Sequence, residues 1–127
     1  MPHPFSISKL INSFGHAFRG LRTVIWSEQN FRIHTVFAFI TLGFTWYFGL
    51  SGMETTIIFL CIAAVMVTEI LNTAIEKLCD FVSPQFHDKI KIIKDLSAGA
   101  VLLMSIVSVI IGVIIFFPKM LQFVQNW

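Results

Sequence analysis

The chain has 127 residues, of which 56% are hydrophobic and only 13% are charged, and its mean hydropathy is +0.81. A soluble globular protein is about one quarter charged, so the composition favours an integral membrane protein, and the length favours a single domain over residues 1–127. The net charge of +2 is too small for a nucleic-acid-binding protein, and we expect no nucleic-acid partner.

The first predicted element is an amphipathic helix over residues 5–30. Its apolar side chains recur with the helical period and share one face: Ile7, Leu10, Ile11, Phe14, Phe18, Leu21 and Ile25. Its polar and basic side chains crowd the opposite face: Lys9, Asn12, Ser13, His16, Arg19, Arg22 and Thr23. A basic amphipathic helix beside membrane-spanning segments usually lies in the plane of the membrane surface, and we expect that position here.

Three apolar segments follow, over residues 33–50, 55–79 and 96–117, and Pro118 closes the third. Each is close to the ~20 residues that a helix needs to cross ~30 Å of hydrocarbon. The polar stretch over residues 80–95 is predicted to be the loop between the second and third segments. The sequence therefore predicts an all-α integral membrane protein with one surface helix and three transmembrane helices.

The distribution of lysine and arginine predicts the orientation of the chain. Four of these residues precede the first span, none lies in the turn at residues 51–54, four lie around the 80–95 loop, and one follows the third span. In order they are Lys9, Arg19, Arg22, Arg32, Lys77, Lys89, Lys91, Lys94 and Lys119. Basic residues concentrate in cytoplasmic loops, so we expect the N-terminus and the loop in the cytoplasm and the C-terminus outside.

Four polar residues interrupt the second apolar segment at helical spacing: Glu69, Asn72, Glu76 and Asp80. Steps of three, four and four residues place them within an arc of about 80° on one helix face. Ionisable residues inside a membrane are costly, so such a row indicates a functional site. The row extends about 16 Å from Asp80 down to Glu69, and residues 57–67 beyond it carry no charge.

Further polar residues are predicted at the same cytoplasmic level. Lys94 and Asp95 open the third apolar helix, and Glu28 closes the surface helix. Carboxylates hold Mg²⁺, a lysine meets phosphate groups, and a further carboxylate accepts the proton of an attacking hydroxyl. This set predicts phosphoryl transfer from a nucleotide to a lipid alcohol. Glu69 is the predicted base, because a carboxylate removed from water accepts a proton more readily.

Each residue alone has a simpler explanation. Asn72 could hydrogen-bond between helices, and Glu69 could be a paired structural carboxylate. Lys94 could be an anchoring charge, and Asp95 could stabilise a helix N-terminus. His34, at the start of the first span, is interpreted as an interfacial residue.

The alternative function is a small proton or cation carrier that uses intramembrane carboxylates. Such a path should cross the bilayer, whereas the polar row ends at Glu69, so the carrier is disfavoured. The sequence contains no GxxxxGK[ST], GxGxxG, HRD or DFG motif. Nucleotide-binding loops of the soluble type are therefore excluded by pattern.

Two stretches resemble the motif of the prokaryotic diacylglycerol kinase family, which includes the undecaprenol kinases. They are Glu69-Ile-Leu-Asn72-Thr-Ala-Ile-Glu76-Lys-Leu-Cys-Asp80 and Lys94-Asp95-Leu-Ser-Ala-Gly99-Ala-Val. Gly20-Leu21-Arg22 and Glu28-Gln-Asn30-Phe31-Arg32 also resemble the family's pattern. The resemblance covers about residues 8–113.

The resemblance implies a small kinase of the bacterial cell membrane that uses ATP and Mg²⁺ and works as a homotrimer with active sites shared between subunits. It implies Glu69 as the catalytic base, supported by Asn72. It implies Glu28 and Glu76 as ligands of the metal ion that accompanies ATP. The residues that it places around ATP are Glu28, Glu76, Asp80, His87, Lys94 and Asp95.

Some positions of the surface helix depart from the family's pattern, with Lys9 in place of Arg, His16 in place of Tyr and Ala17 in place of Ser. The resemblance places Lys9 and His16 among the ATP and lipid contacts, and Lys9 keeps the charge of Arg but loses its bidentate geometry. The acceptor is either diacylglycerol or undecaprenol, and residues 80–87 resemble the undecaprenol kinases more closely.

Overall fold

The computed structural model describes residues 4–127, which form four α-helices. Their bounds are Ile7–Ser27 for α1, Gln29–Tyr47 for α2, Gly52–Val82 for α3 and Asp88–Gln125 for α4. The all-α class is therefore confirmed. Among the described residues, two helices are long and apolar enough to cross a membrane: α3 with 31 residues and α4 with 38.

Glu28 is the single residue that separates α1 from α2. Its extended backbone (φ −115°, ψ 112°) breaks the helix that was predicted to run over residues 5–30. Arg32 stabilises this break, because its Nη1 donates to the carbonyl oxygens of Ile25 and Trp26 at 3.1 and 2.9 Å. Those carbonyls lie at the end of α1, where no amide of the same helix can reach them. The break at Glu28 is thus stabilised by a side chain four residues later.

Helix α3 begins at a capping box. The amide of Glu54 donates to Ser51 Oγ at 3.2 Å, and the amide of Ser51 donates to Glu54 Oε2 at 2.9 Å. The turn before it contains Gly49 at φ 61°, a conformation that favours glycine. Lys119 Nζ lies 3.5 Å from Glu54 Oε2, so the start of α3 is tied to the last third of α4.

The connection between α3 and α4 is shorter than the loop predicted over residues 80–95. Residues 83–87 form the connection, and α4 begins at Asp88, where His87 Nδ1 accepts from the amide of Lys89 at 3.1 Å. The charged stretch after Asp88 is polar yet helical, because hydropathy marks the extent of a membrane span and not the end of a helix. Helix α4 also continues through Pro118 to Gln125, losing the one hydrogen bond that a proline amide cannot give.

Helix α3 is the centre of the molecule and contacts each of the other three helices. Its buried side chains form one stripe: Ile58, Cys61, Val65, Glu69, Asn72, Thr73 and Cys79. Along this stripe, the apolar residues Ile58, Cys61 and Val65 are followed by Glu69, the first residue of the polar row. The charged site is thereby held on the packed side of the molecule's central helix.

Candidate active site

The polar row on α3 runs from the surface into the interior. Asp80 is exposed, Glu76 is half-buried, and Asn72 is buried at 8% exposure. Glu69 is the most enclosed of the four at 2%. Burial within the chain therefore increases along the row from Asp80 to Glu69.

Asn72 joins the row to helix α4. Its Oδ1 accepts from Ser97 Oγ at 2.8 Å, and its Nδ2 donates to Glu76 Oε1 at 3.4 Å. The interhelical bond is one of the roles that the sequence left open for Asn72. Among the described residues, Asn72 forms no hydrogen bond with Glu69, so any support that it gives to the predicted base is indirect.

The two charged residues at the start of the third predicted span have separate partners. Lys94 Nζ donates to Asp80 Oδ1 across the α3–α4 connection. Asp95 accepts from Lys91 Nζ at 2.6 Å, one turn away on the exposed surface of α4. Lys94 lies outside the predicted span, and the hydrogen bond to Asp80 raises the pKa of its ammonium group. Lys94 therefore stays positively charged at neutral pH, held at the mouth of the site.

Glu28 and Glu76 lack a compensating positive charge. Neither carboxylate forms an ion pair with a Lys, Arg or His among residues 4–127, and both are half-buried. No cluster of three or more potential ligands from His, Cys, Asp and Glu exists within that range. A magnesium ion that arrives with a nucleotide is held by one or two carboxylates and by phosphate oxygens, so the lack of a larger cluster in this range does not conflict with the predicted role of Glu28 and Glu76.

His34 is the site residue that the sequence interpretation missed. Its Nε2 lies 3.9 Å from Glu69 Oε2, and no Lys or Arg side chain lies within 4 Å of this carboxylate among the described residues. The sequence holds no signal for this contact, because His34 and Glu69 are on different helices at unrelated positions in their patterns. The packing of α2 on α3 brings them together.

Three predicted ATP contacts lie at the edge of the site or outside it. His87 caps α4 with its Nδ1. His16 Nδ1 forms a hydrogen bond with Arg19 at 2.7 Å on α1. Lys9 is close to the start of α1, about 28 Å along the helix from Glu28. In the described part of the chain, neither Lys9 nor His16 bonds through its side chain to another predicted site residue.

The comparisons with known proteins decide the family. The family model described as prokaryotic diacylglycerol kinase matches residues 15–116, which is most of the chain. This chain belongs to the prokaryotic diacylglycerol kinase family. The matched range includes Glu28, the complete polar row and Lys94 with Asp95, so the residues assembled here are inside the region that defines the family.

Three relatives have similar sequences. The undecaprenol kinase of Bacillus subtilis is 38% identical over 118 residues, which cover 93% of this chain and 96% of that protein. A diacylglycerol kinase of Synechocystis is 35% identical over 89% of this chain and 65% of its own length. The diacylglycerol kinase of Escherichia coli K12 is 28% identical over 81% of this chain and 84% of its own.

The family and the names of these relatives agree on one class of reaction. The chain is a lipid kinase, and the family is one of bacterial membrane proteins. None of the matches favours the carrier that the sequence left as the alternative.

Proposed function

We propose that the chain transfers the γ-phosphoryl group of ATP to the primary hydroxyl of undecaprenol at the cytoplasmic face of the membrane. The observation that carries this proposal is the placement of Glu69. It lies almost fully buried beneath a layer that contains Lys94 and two carboxylates without counter-charges. Diacylglycerol is the second acceptor to test, since relatives of both names match the chain.

The proposed reaction assigns Glu69 to the lipid hydroxyl. Glu69 accepts the hydroxyl proton while the oxygen attacks the γ-phosphorus, and ADP departs as the leaving group. General-base catalysis of this kind contributes typically about 10²- to 10⁴-fold to a rate. The carboxylate can accept this proton because, within residues 4–127, the hydrogen bonds of the site involve Asn72, Glu76 and Ser97 and none involves Glu69.

The nucleotide occupies the layer above Glu69 in this proposal. Glu28 and Glu76 would hold the Mg²⁺ of ATP, which when bound neutralises part of the phosphate charge. Lys94 would face the phosphate groups while Asp80 holds its ammonium group in position. Asp95 and His87 would contact the nucleotide from the start of α4.

The proposed arrangement in the membrane has three spans. Helices α2, α3 and α4 cross the bilayer, with the N-terminus in the cytoplasm and the C-terminus outside. Helix α1 lies on the cytoplasmic surface, since all its apolar positions except Val24 are exposed in the single chain. The proposed assembly is a homotrimer, in which Lys9 and His16 of α1 would reach the site of a neighbouring subunit.

The direct test is a transfer assay with the purified protein in mixed micelles. Radiolabelled ATP and Mg²⁺ are supplied with undecaprenol or diacylglycerol, and the phosphorylated lipid is separated and counted. We expect transfer to undecaprenol with the higher kcat/KM. A higher kcat/KM for diacylglycerol would make diacylglycerol the preferred acceptor in place of undecaprenol. The absence of transfer to either lipid would refute the proposed reaction.

A further inference from the structure

A cavity of about 400 Å³ lies between α2, α3 and α4, directly beyond the buried carboxylate. It follows the helix axes, from His34 to Thr41 on α2 and from Met66 back to Ile58 on α3. These stretches are about 10 and 12 Å long at 1.5 Å per residue. The volume is in the range of small-molecule sites, and the elongated form suits a chain that lies along the membrane normal.

One end of the cavity opens at the predicted base. His34 lines that end, and its Nε2 is 3.9 Å from Glu69 Oε2. Met66, which lines the same end, is three residues before Glu69 on α3. A molecule in the cavity with a hydroxyl at its upper end would therefore present that hydroxyl to the pair formed by His34 and Glu69.

The walls near this end favour a chain that is hydrocarbon from its first carbon atoms. Beside His34 they include Phe37, Ala38, Val65 and Met66, none of which has a side chain that can donate a hydrogen bond. Diacylglycerol carries ester groups within a few bonds of its hydroxyl, and those esters would be left unpaired against these walls. A polyprenol has no polar atom beyond its hydroxyl.

Two serine hydroxyls line the cavity at a greater depth. Ser105 and Ser108 have buried Oγ atoms without a hydrogen-bond partner in the described structure. Because Ser97 bonds to Asn72, Ser105 lies about 7 Å below the level of Glu69. The two serines therefore line the cavity at a greater depth than the apolar upper walls.

We propose that this cavity binds the isoprene units nearest the hydroxyl of a polyprenol acceptor. The hydroxyl lies beside His34, and the isoprenoid chain extends from there into the cavity. The inference rests on the proposed kinase function and adds the position of the acceptor chain. It also makes the cavity a determinant of acceptor choice, independent of the residues that bind ATP.

The test fills the lower part of the cavity. Gly112 lines it, and a Cβ atom at this position would meet no heavy atom within 4 Å, so Gly112→Leu adds a side chain into free space. Gly43→Leu is the matched control, because Gly43 has the same open surroundings but does not line the cavity. We expect Gly112→Leu to raise the KM for undecaprenol by about tenfold or more. The KM for ATP should stay unchanged, and Gly43→Leu should behave as the wild type.

Chain length separates occupation of the cavity from damage to the fold. A prenol of two isoprene units does not extend to Gly112, so its kinetics should be the same in Gly112→Leu and in the wild type. Equal losses with the short and the long prenol would overturn the proposal, as would an unchanged KM for undecaprenol. A rise in KM for diacylglycerol alone would show that an acyl chain occupies the cavity, and would overturn it too.

A binding measurement keeps the proposal separate from the kinase activity. An undecaprenol analogue with a photoreactive group near its hydroxyl end should label cavity residues of the wild type, and Gly112→Leu should reduce this labelling severalfold. Labelling without phosphoryl transfer would refute the proposed function and leave the cavity assignment standing. Labelling confined to other surfaces would refute the cavity assignment.

Discussion

Replacement of Glu69 by glutamine removes the proposed proton acceptor and keeps the size of the side chain. The proton of the lipid hydroxyl then has no base, and kcat should fall by about 10²- to 10⁴-fold, which is about 3–5 kcal/mol of transition-state stabilisation. The KM for ATP should change little, because Glu28, Glu76 and Lys94 remain. The assay is initial-rate phosphoryl transfer to undecaprenol in mixed micelles, with ATP and lipid varied separately.

The structure also predicts that this variant folds. Glu69 forms no hydrogen bond with another described residue, and the nearest basic side chain among these residues, that of His34, is 3.9 Å away. An uncharged amide therefore deprives no partner of a hydrogen bond and removes the penalty for a buried charge. The thermal unfolding midpoint in detergent should be equal to or higher than that of the wild type.

Glu54→Gln is the matched control. Glu54 is on the same helix at the opposite end, where it caps α3 and pairs with Lys119, far from the polar row. We expect kcat of this variant to remain within about twofold of the wild type. A kcat for Glu69→Gln within threefold of the wild type would refute Glu69 as the base. Equal losses in both variants would show that the effect is structural.

Four further substitutions test the other parts of the site. Asn72→Ala leaves its two hydrogen-bond partners, Ser97 and Glu76, without this bond. We expect it to lower the free energy of unfolding by about 1–3 kcal/mol, measured by thermal unfolding, and also to lower kcat. Ser97→Ala should lower the free energy of unfolding by about 1 kcal/mol with little change in kcat. Arg32→Ala removes the side chain that binds the last carbonyls of α1, so Glu28 loses its fixed position. We expect the Mg²⁺ concentration needed for half-maximal activity to rise severalfold in a metal titration. An unchanged Mg²⁺ requirement would exclude a role of Arg32 in positioning Glu28. Lys94→Met should raise the KM for ATP by tenfold or more and leave the KM for the lipid unchanged; a change in the lipid KM alone would contradict its assignment to the phosphates.

The sequence was sufficient for the all-α class and for the common helix face of the polar row. Hydropathy and the 3.6-residue period depend on residues close together in the chain, so they can be read without a structure. The exact breaks could not be read in the same way. The helix breaks at Glu28, where the Arg32 side chain binds carbonyl oxygens at the end of α1. Helix α4 begins before the predicted apolar segment, at Asp88, where His87 caps its first turn. Both effects come from side chains whose conformations are set by the folded chain.

The candidate site likewise has a part that the sequence predicts and a part that only the folded structure shows. The spacing of Glu69, Asn72 and Glu76 on one helix fixes their common face, whatever the rest of the chain does. Contacts between helices depend on which faces pack and at what register. The pairing of Lys94 with Asp80, the bond from Ser97 to Asn72 and the approach of His34 to Glu69 are all of this kind.

The sequence by itself therefore determined the class of the protein, its family motif and the row of polar residues, because these follow from local pattern and composition. The tertiary structure alone decided what stands beside the buried carboxylate. Helix α2 brings His34 to Glu69, and the three helices leave an apolar cavity beneath that pair. The physical reason is that a cavity belongs to the packing of several helices, and no single stretch of sequence contains it.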